Sequence, residues 1–169
     1  SEERMQQFAQ ASSDVLWIRD TATMQWEYLS PAFDHIYGLS RQDALKDDNF
    51  RSWLGFILPE DRDGASAATQ RVVQGERTSF EYRIRRPDGA VRWLRSADFP
   101  IRGADGSVTH IAGVGSDITA IKRAEEHQRM LLHELQHRVR NTLAVIRSIV
   151  RRTAVRSRGK DDFQMHLEG

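Results

Sequence analysis

The chain has no cysteine among its 169 residues. That removes disulfides, thiolate metal sites, cysteine nucleophiles and any photochemistry that adds a cysteine to a chromophore. Proline is scarce, and between Thr119 and Arg156 there is neither proline nor glycine, so nothing in that stretch interrupts a helix. No apolar run approaches the roughly 20 residues that span a bilayer, and no signal peptide opens the chain, so the expected location is the cytoplasm. The chain begins at Ser1 and stops at Gly169 just after a fresh helical start, and it is expected to be a piece of a longer protein. Apolar residues make up 39% of it and charged residues 29%, enough of each for a packed core under a soluble surface.

The formal net charge of +1 conceals an asymmetry. Residues 1–119 carry a net −4, residues 120–160 a net +8, and the last nine −3. A basic segment behind an acidic domain is able to meet nucleic acid, a membrane surface, or an acidic protein or nucleotide. The broad apolar stripe described below, with no interleaved aromatics, argues against nucleic acid.

The first half reads as short elements. Residues 2–11 suggest an amphipathic helix with Met5, Phe8 and Ala9 on one side, and 15–19 and 25–29 two short strands. Ser30-Pro31 has the form of a helix start, Ser30 as N-cap and Pro31 in the first turn. Short helices are expected after it, then an apolar segment around Trp53, then a helix opened by Pro59-Glu60-Asp61 and stopped near Gly75. From there the period changes. Phe80, Tyr82 and Ile84 alternate with Glu81, Arg83 and Arg85, as in a half-buried strand. Pro87-Asp88-Gly89 marks a turn, and Val91, Trp93, Ala97, Phe99 and Ile101 are expected to continue the buried alternation on the return. Residues 108–118 complete a third long strand. This order indicates an α+β fold, an antiparallel sheet with helices on one face.

From Thr119 to Arg156 a continuous helix of roughly 55 Å is expected. Ile121, Leu132, Leu135, Val139, Thr142, Ile146, Ile149 and Thr153 follow an alternating three-four spacing, and Leu131, Leu143, Val150 and Ala154 widen the stripe. That breadth suits a dimeric four-helix bundle better than a two-stranded coil. With Leu132, Leu135 and Val139 in the seam, His137 falls on the solvent side, between His133 and Asn141 on one strip. An imidazole held in water on a rigid helix is open to phosphorylation on a ring nitrogen. It needs one nitrogen free as nucleophile and a polar group to orient the ring. Glu134 is in reach for that role, Asn141 is placed to hydrogen-bond the ring or the phosphoryl oxygens, and Arg138 and Arg140 would ease the approach of phosphate charge.

Two family resemblances follow. Leu58-Pro59-Glu60-Asp61-Arg62, Pro87-Asp88-Gly89, Trp93 and Asp117-Ile118-Thr119, in this order, resemble a PAS domain over about residues 3–119. Glu134-Leu135-Gln136-His137-Arg138-Val139-Arg140-Asn141-Thr142-Leu143-Ala144 resembles the phosphoacceptor box of HWE-type sensor histidine kinases. The two together imply a sensor domain over 1–118 and, over 119–169, a signalling helix with a truncated dimerisation and phosphoacceptor hairpin. They further imply a two-component histidine kinase in which His137 is phosphorylated from ATP and passes the phosphoryl group to a response-regulator aspartate, with Glu134, Arg138 and Asn141 assisting. A competing reading takes His133-Glu134-Leu135 as the commoner acceptor box, but no proline follows, and Arg138 and Asn141 are in register only for His137. The implied partners are a second copy through the 119–156 helix, a response regulator, and a C-terminal ATP-binding domain absent from this chain. ATP and Mg are thus expected for the full-length kinase and not for this fragment, which should be inactive alone. The alternative is a non-catalytic PAS module for dimerisation or protein interaction.

The ligand of the sensor pocket is not legible. Haem would call for a histidine on the long helix, yet residues 60–75 contain none. In the flavin subfamily a glutamine stands two residues before the exit aspartate; here that position is Gly115. Gly113 and Gly115 would leave room for a small ligand or mark close backbone packing. Trp53, Phe80, Tyr82 and Trp93 are read as core, and no metal site is expected.

Overall fold

The computed structural model describes residues 1–46 and 50–156. The expected second helical start at Asp161-Asp162 and Phe163 lies outside the described residues. Two compact units are present, Ser1–Lys122 and a second one from Arg123 onward.

In the first unit, β1 (Val15–Asp20), β2 (Trp26–Leu29), β3 (Thr78–Arg85), β4 (Val91–Arg102) and β5 (Val108–Asp117) form one antiparallel sheet in the order β2-β1-β5-β4-β3. Helix α1 (Glu2–Ala11) precedes it, and α2 (Ala32–Tyr37), α3 (Arg41–Lys46), α4 (Phe50–Phe56) and α5 (Pro59–Val73) connect β2 to β3. The long strands are joined by tight turns in which Gly89 (φ 87°) and Gly106 (φ 83°) take the left-handed conformation that a side chain would disfavour. The α+β architecture expected from the strand periods is the one found.

The core lies between the sheet and the connecting helices. Phe33, Ile57, Val72, Ile84, Leu94 and Ile111 are among its most buried side chains. Phe33 stacks on Tyr37 with ring centroids 4.3 Å apart, and Trp53 meets Tyr82 edge to face at 5.6 Å. Trp53 Nε1 donates to the Tyr37 hydroxyl (3.1 Å), which also contacts the Tyr82 hydroxyl (3.3 Å), so these rings bury their polar ends in pairs. Pro59 occupies the first turn of α5. Two residues on, Asp61 grips Arg83 of β3 through two guanidinium contacts of 2.8 Å and the Arg83 backbone N–H at 2.9 Å. That bidentate pair ties the helix start to the sheet.

Three expectations are corrected. Ser30 does not cap α2: its hydroxyl accepts from Leu16 N (2.8 Å) and donates to Asp14 O (3.2 Å), so it stitches the β2 exit to β1, and Pro31 occupies the cap position with no side-chain bond. The buried face of β4 has the opposite parity from that expected. Tyr82 pairs with Leu94 and Phe80 with Ser96, and residues opposed across a ladder share a face. Leu94, Ser96 and Asp98 are therefore buried while Ala97 and Phe99 are exposed. Trp93 consequently leaves the core for the outer face, where the Arg83 guanidinium and the Lys122 ammonium lie 5.2 and 4.9 Å from the centre of its ring system.

Helix α6 (Thr119–Arg156) is continuous over 38 residues, as the lack of breakers required.

Candidate functional site

The acceptor run lies on α6, where local helix geometry alone sets its layout. The seam residues Leu132, Leu135, Val139, Leu143, Ile146 and Ile149 each expose between 48% and 58% of their surface. Such a row of apolar side chains is the mark of a face that awaits a partner. His137 is exposed on the polar strip, and one turn on the Asn141 amide nitrogen lies 3.4 Å from His137 Nδ1. Glu134 departs from its expected place beside the ring. Its Oε1 accepts from Arg138 Nη2 at 3.1 Å, the ordinary i,i+4 pair of an exposed helix, contributing about 0.3–0.5 kcal/mol. Four of the expected site residues thus form two pairs, His137 with Asn141 and Glu134 with Arg138. Among the described residues His133 makes no side-chain hydrogen bond.

Where the sheet leads into α6, a set of contacts pins the helix start. Asp117 Oδ1 accepts both the backbone N–H (2.9 Å) and the hydroxyl of Thr119, and the Thr119 hydroxyl in turn accepts from the Trp93 N–H (2.9 Å). Ile118 N donates to the Trp93 carbonyl at 2.9 Å. One turn later Lys122 Nζ reaches Glu81 Oε2 at 2.6 Å, and Arg95 reaches the other oxygen at 2.9 Å. Hydrogen bonds from Lys122 and then Arg95 hold the Glu81 carboxyl below its usual range. Asp117 and Thr119 are visible in the sequence as a cap. The Glu81–Lys122–Arg95 cluster is not, because its members come from two strands and a helix distant in the chain.

Inside the first unit is a small, partly open space of about 20 Å³ bordered by Arg19, Tyr37, Thr69, Tyr82, Asp98 and Gly115, room for one water. Arg19 is 2% exposed, with its guanidinium 4.0 Å above the Trp26 ring and Nη1 donating to the Met24 carbonyl. Asp98 is 4% exposed and accepts from the Ser96 hydroxyl. Burial pushes the Asp98 carboxyl up to about 7, against the opposing pull of Ser96. Burial likewise raises the Tyr37 and Tyr82 hydroxyls. The two candidate ligand glycines differ. A Cβ on Gly113 would stand 2.3 Å from Asp98 Oδ1 and 2.7 Å from Trp17, whereas one on Gly115 would meet nothing closer than Val15 Cβ at 3.8 Å. Gly113 therefore serves close packing, and Gly115 alone lines the space. Arg19 and Asp98 look like surface residues in the sequence until strand parity is known. On the outer face, Asp20, Glu27 and His110 bring a carboxylate, a second carboxylate and an imidazole together.

Residues 27–115 match the family model described as PAS fold, and residues 134–169 that described as HWE histidine kinase. The chain belongs to the PAS-fold family, and its last described helix carries the start of a stretch similar to the HWE histidine kinases. A blue-light-activated histidine kinase of Brucella ovis is 30% identical over 118 residues, covering 70% of this chain and 23% of that protein. The protein of the same name from Brucella anthropi is 25% identical over 154 residues, covering 90% of this chain and 30% of its own length. This chain thus spans about a quarter of the length of the relatives it matches. A sensory box histidine kinase/response regulator from Burkholderia thailandensis has a similar structure, with a TM-score of 0.63, 29% identity, 79% of this chain covered and 98% of that one. Among the described residues no helix is long and apolar enough to cross a membrane.

Proposed function

We propose that His137 is the phosphoacceptor of a two-component sensor kinase and that the domain before it sets how readily that histidine is phosphorylated. The observation that carries this reading is the exposed His137 ring, opposite the apolar seam of α6 and inside the stretch that matches the HWE histidine kinases. Asn141 occupies the Nδ1 side, which leaves Nε2 facing solvent. Attack by Nε2 on the γ-phosphorus of ATP forms the N–P bond as the bond to the ADP oxygen breaks. For Nε2 to carry the lone pair, Nδ1–H donates a hydrogen bond to the Asn141 amide oxygen, which requires the amide to turn from the orientation in which its nitrogen faces the ring; amide orientation and tautomer are coupled in this way. Arg138 and Arg140 offset phosphate charge, while Glu134 restrains Arg138 rather than the imidazole. The phosphoryl group then passes to an aspartate of a response regulator.

The seam calls for a second copy, since two α6 helices packed together remove from water the side chains that one leaves half exposed. The ATP-binding domain and Mg-ATP come from the rest of the kinase, so this chain alone is inactive. Relatives are named for blue light, yet this chain holds no cysteine, and a flavin–cysteine adduct has no place in its sensor domain.

The test is to mix the chain with Mg-ATP and the ATP-binding domain of a matching HWE kinase and to measure acid-labile phosphate. Incorporation that disappears in His137→Gln supports the proposal. No incorporation from any such donor leaves a dimerising PAS module without catalysis.

A further inference from the structure

Three strands meet on the outer face of the sheet at its β2 edge. Alternate residues of β1, Val15, Trp17 and Arg19, line the interior space, so Asp20 faces the other way. Directly opposite Asp20 in the β1–β5 ladder is His110. Glu27 arrives by an irregularity: Ile18 pairs with Tyr28 and Arg19 with Trp26, so Glu27 is the extra residue of a β-bulge. Bulges re-aim a side chain at the expense of ladder pairing. Here the bulge aims Glu27 at His110, with Oε2 3.1 Å from Nε2, while Asp20 Oδ2 is 3.9 Å from the same nitrogen.

Two of the three side chains, Asp20 and His110, are also oriented from behind. Asp20 Oδ1 accepts from the backbone N–H groups of Ala22 (2.7 Å) and Thr23 (3.1 Å), leaving Oδ2 for His110. Those N–H groups, Thr23 first, hold the Asp20 carboxyl below its usual range. His110 Nδ1 lies 2.9 Å from the Thr109 hydroxyl, whose own proton points to the Ile101 carbonyl at 3.5 Å. With that hydroxyl donating to Ile101, it accepts from Nδ1–H, and Nε2 is left with its lone pair directed at two carboxylates. Three acceptors converging within 4.8 Å of one another repel unless a positive charge sits among them.

We propose that Asp20, Glu27 and His110 form a binding site for a divalent first-row transition ion, with Zn2+ as the probe. Two carboxylates and one neutral imidazole balance a 2+ charge, and a mixed nitrogen–oxygen set suits such ions better than the all-oxygen shells of Mg2+ and Ca2+. Donor atoms about 2.1 Å from a shared ion at the tetrahedral angle stand roughly 3.4 Å apart. The His110–Glu27 separation is already close to that, and Asp20 closes the remainder by a small side-chain rotation. Three protein ligands leave a position open to water. The Nδ1–H bond to Thr109 is the kind of outer support that metal-bound histidines need. The bound ion would tie β2, β1 and β5 together on the face opposite the Arg19 and Asp98 interior.

The test is calorimetric titration of Zn2+ into the 169-residue chain carrying His133→Ala and His137→Ala, since two histidines four apart on a helix are themselves able to hold Zn2+. One ion per chain is expected, with affinity lowered about tenfold or more by His110→Ala and by the isosteric Glu27→Gln. Circular dichroism checks that each variant folds. Co2+ added in place of Zn2+ should give visible d–d absorption that His110→Ala abolishes. A protonated His110 in a simple ion pair predicts no saturable binding. That result, or binding that survives His110→Ala unchanged, overturns the proposal.

Discussion

Replacing Asp98 by asparagine should make the sensor domain more stable, and only in neutral and alkaline solution. The Asp98 carboxyl titrates near 3.8 when solvated and at about 7 when buried in the fold. Below pH 4 it is protonated in both states and contributes nothing to pH dependence. Between about pH 4 and 7 the unfolded chain releases the proton while the folded chain keeps it, so stability falls as pH rises; above 7 the loss is constant. Each pH unit of that window costs about 1.4 kcal/mol, so the full penalty is about 4 kcal/mol, a large share of the stability of an ordinary domain. Asparagine has nearly the same shape, still accepts from Ser96 through its oxygen, and does not titrate. Its NH2 needs a partner in the interior, and failing to find one costs about 1–3 kcal/mol at every pH. The pH dependence of the difference between variant and parent is therefore the informative quantity. All four tryptophans, Trp17, Trp26, Trp53 and Trp93, lie in the first unit, so urea unfolding followed by tryptophan fluorescence reports on it. From pH 4.5 to pH 8 the advantage of Asp98→Asn should grow by about 2–4 kcal/mol at constant m-value. A difference that stays flat across this range would refute the reasoning.

The two strand glycines should behave oppositely in the same assay. Gly113→Ala drives a methyl against Asp98 and Trp17 and should cost about 1–3 kcal/mol, whereas Gly115→Ala meets only ordinary contact and should fall within about 1 kcal/mol of the parent. Equal costs at both would contradict the packing described. Leu135→Asp, in the centre of the α6 seam, should shift the chain from dimer to monomer in sedimentation while leaving the fluorescence transition of the first unit in place. A dimer that persists would place the association surface elsewhere.

What was legible in the sequence was local. The period-2 run at Phe80–Arg85, the Pro59-Glu60-Asp61 helix start and the Gly89 turn each depend on neighbours a few residues apart. The strip that carries His137 and Asn141 likewise needs only a 3.6-residue turn. Parity on β4 is hidden for a physical reason: Ser96 and Asp98 are polar yet inside, and Ala97 and Phe99 are apolar yet outside, so hydrophobicity points to the wrong face. Only pairing with Tyr82 reveals the right one. Ser30 matched a cap by type but is claimed by β1, fourteen residues earlier. The Asp20–Glu27–His110 cluster needed a bulge and a ladder partner some ninety residues away, neither of which leaves a mark in composition. Glu134 had two partners within helical reach, and the opposite charge on Arg138 outweighed the ring of His137.

The central claim is that one imidazole, His137, is the one phosphorylated. It is tested most directly by locating phosphate in the chain by mass spectrometry at alkaline pH, after incubation with Mg-ATP and a matching ATP-binding domain. Phosphate is expected on His137, retained in His133→Gln and lost in His137→Gln. Phosphate found on His133, or undiminished labelling of His137→Gln, would contradict it.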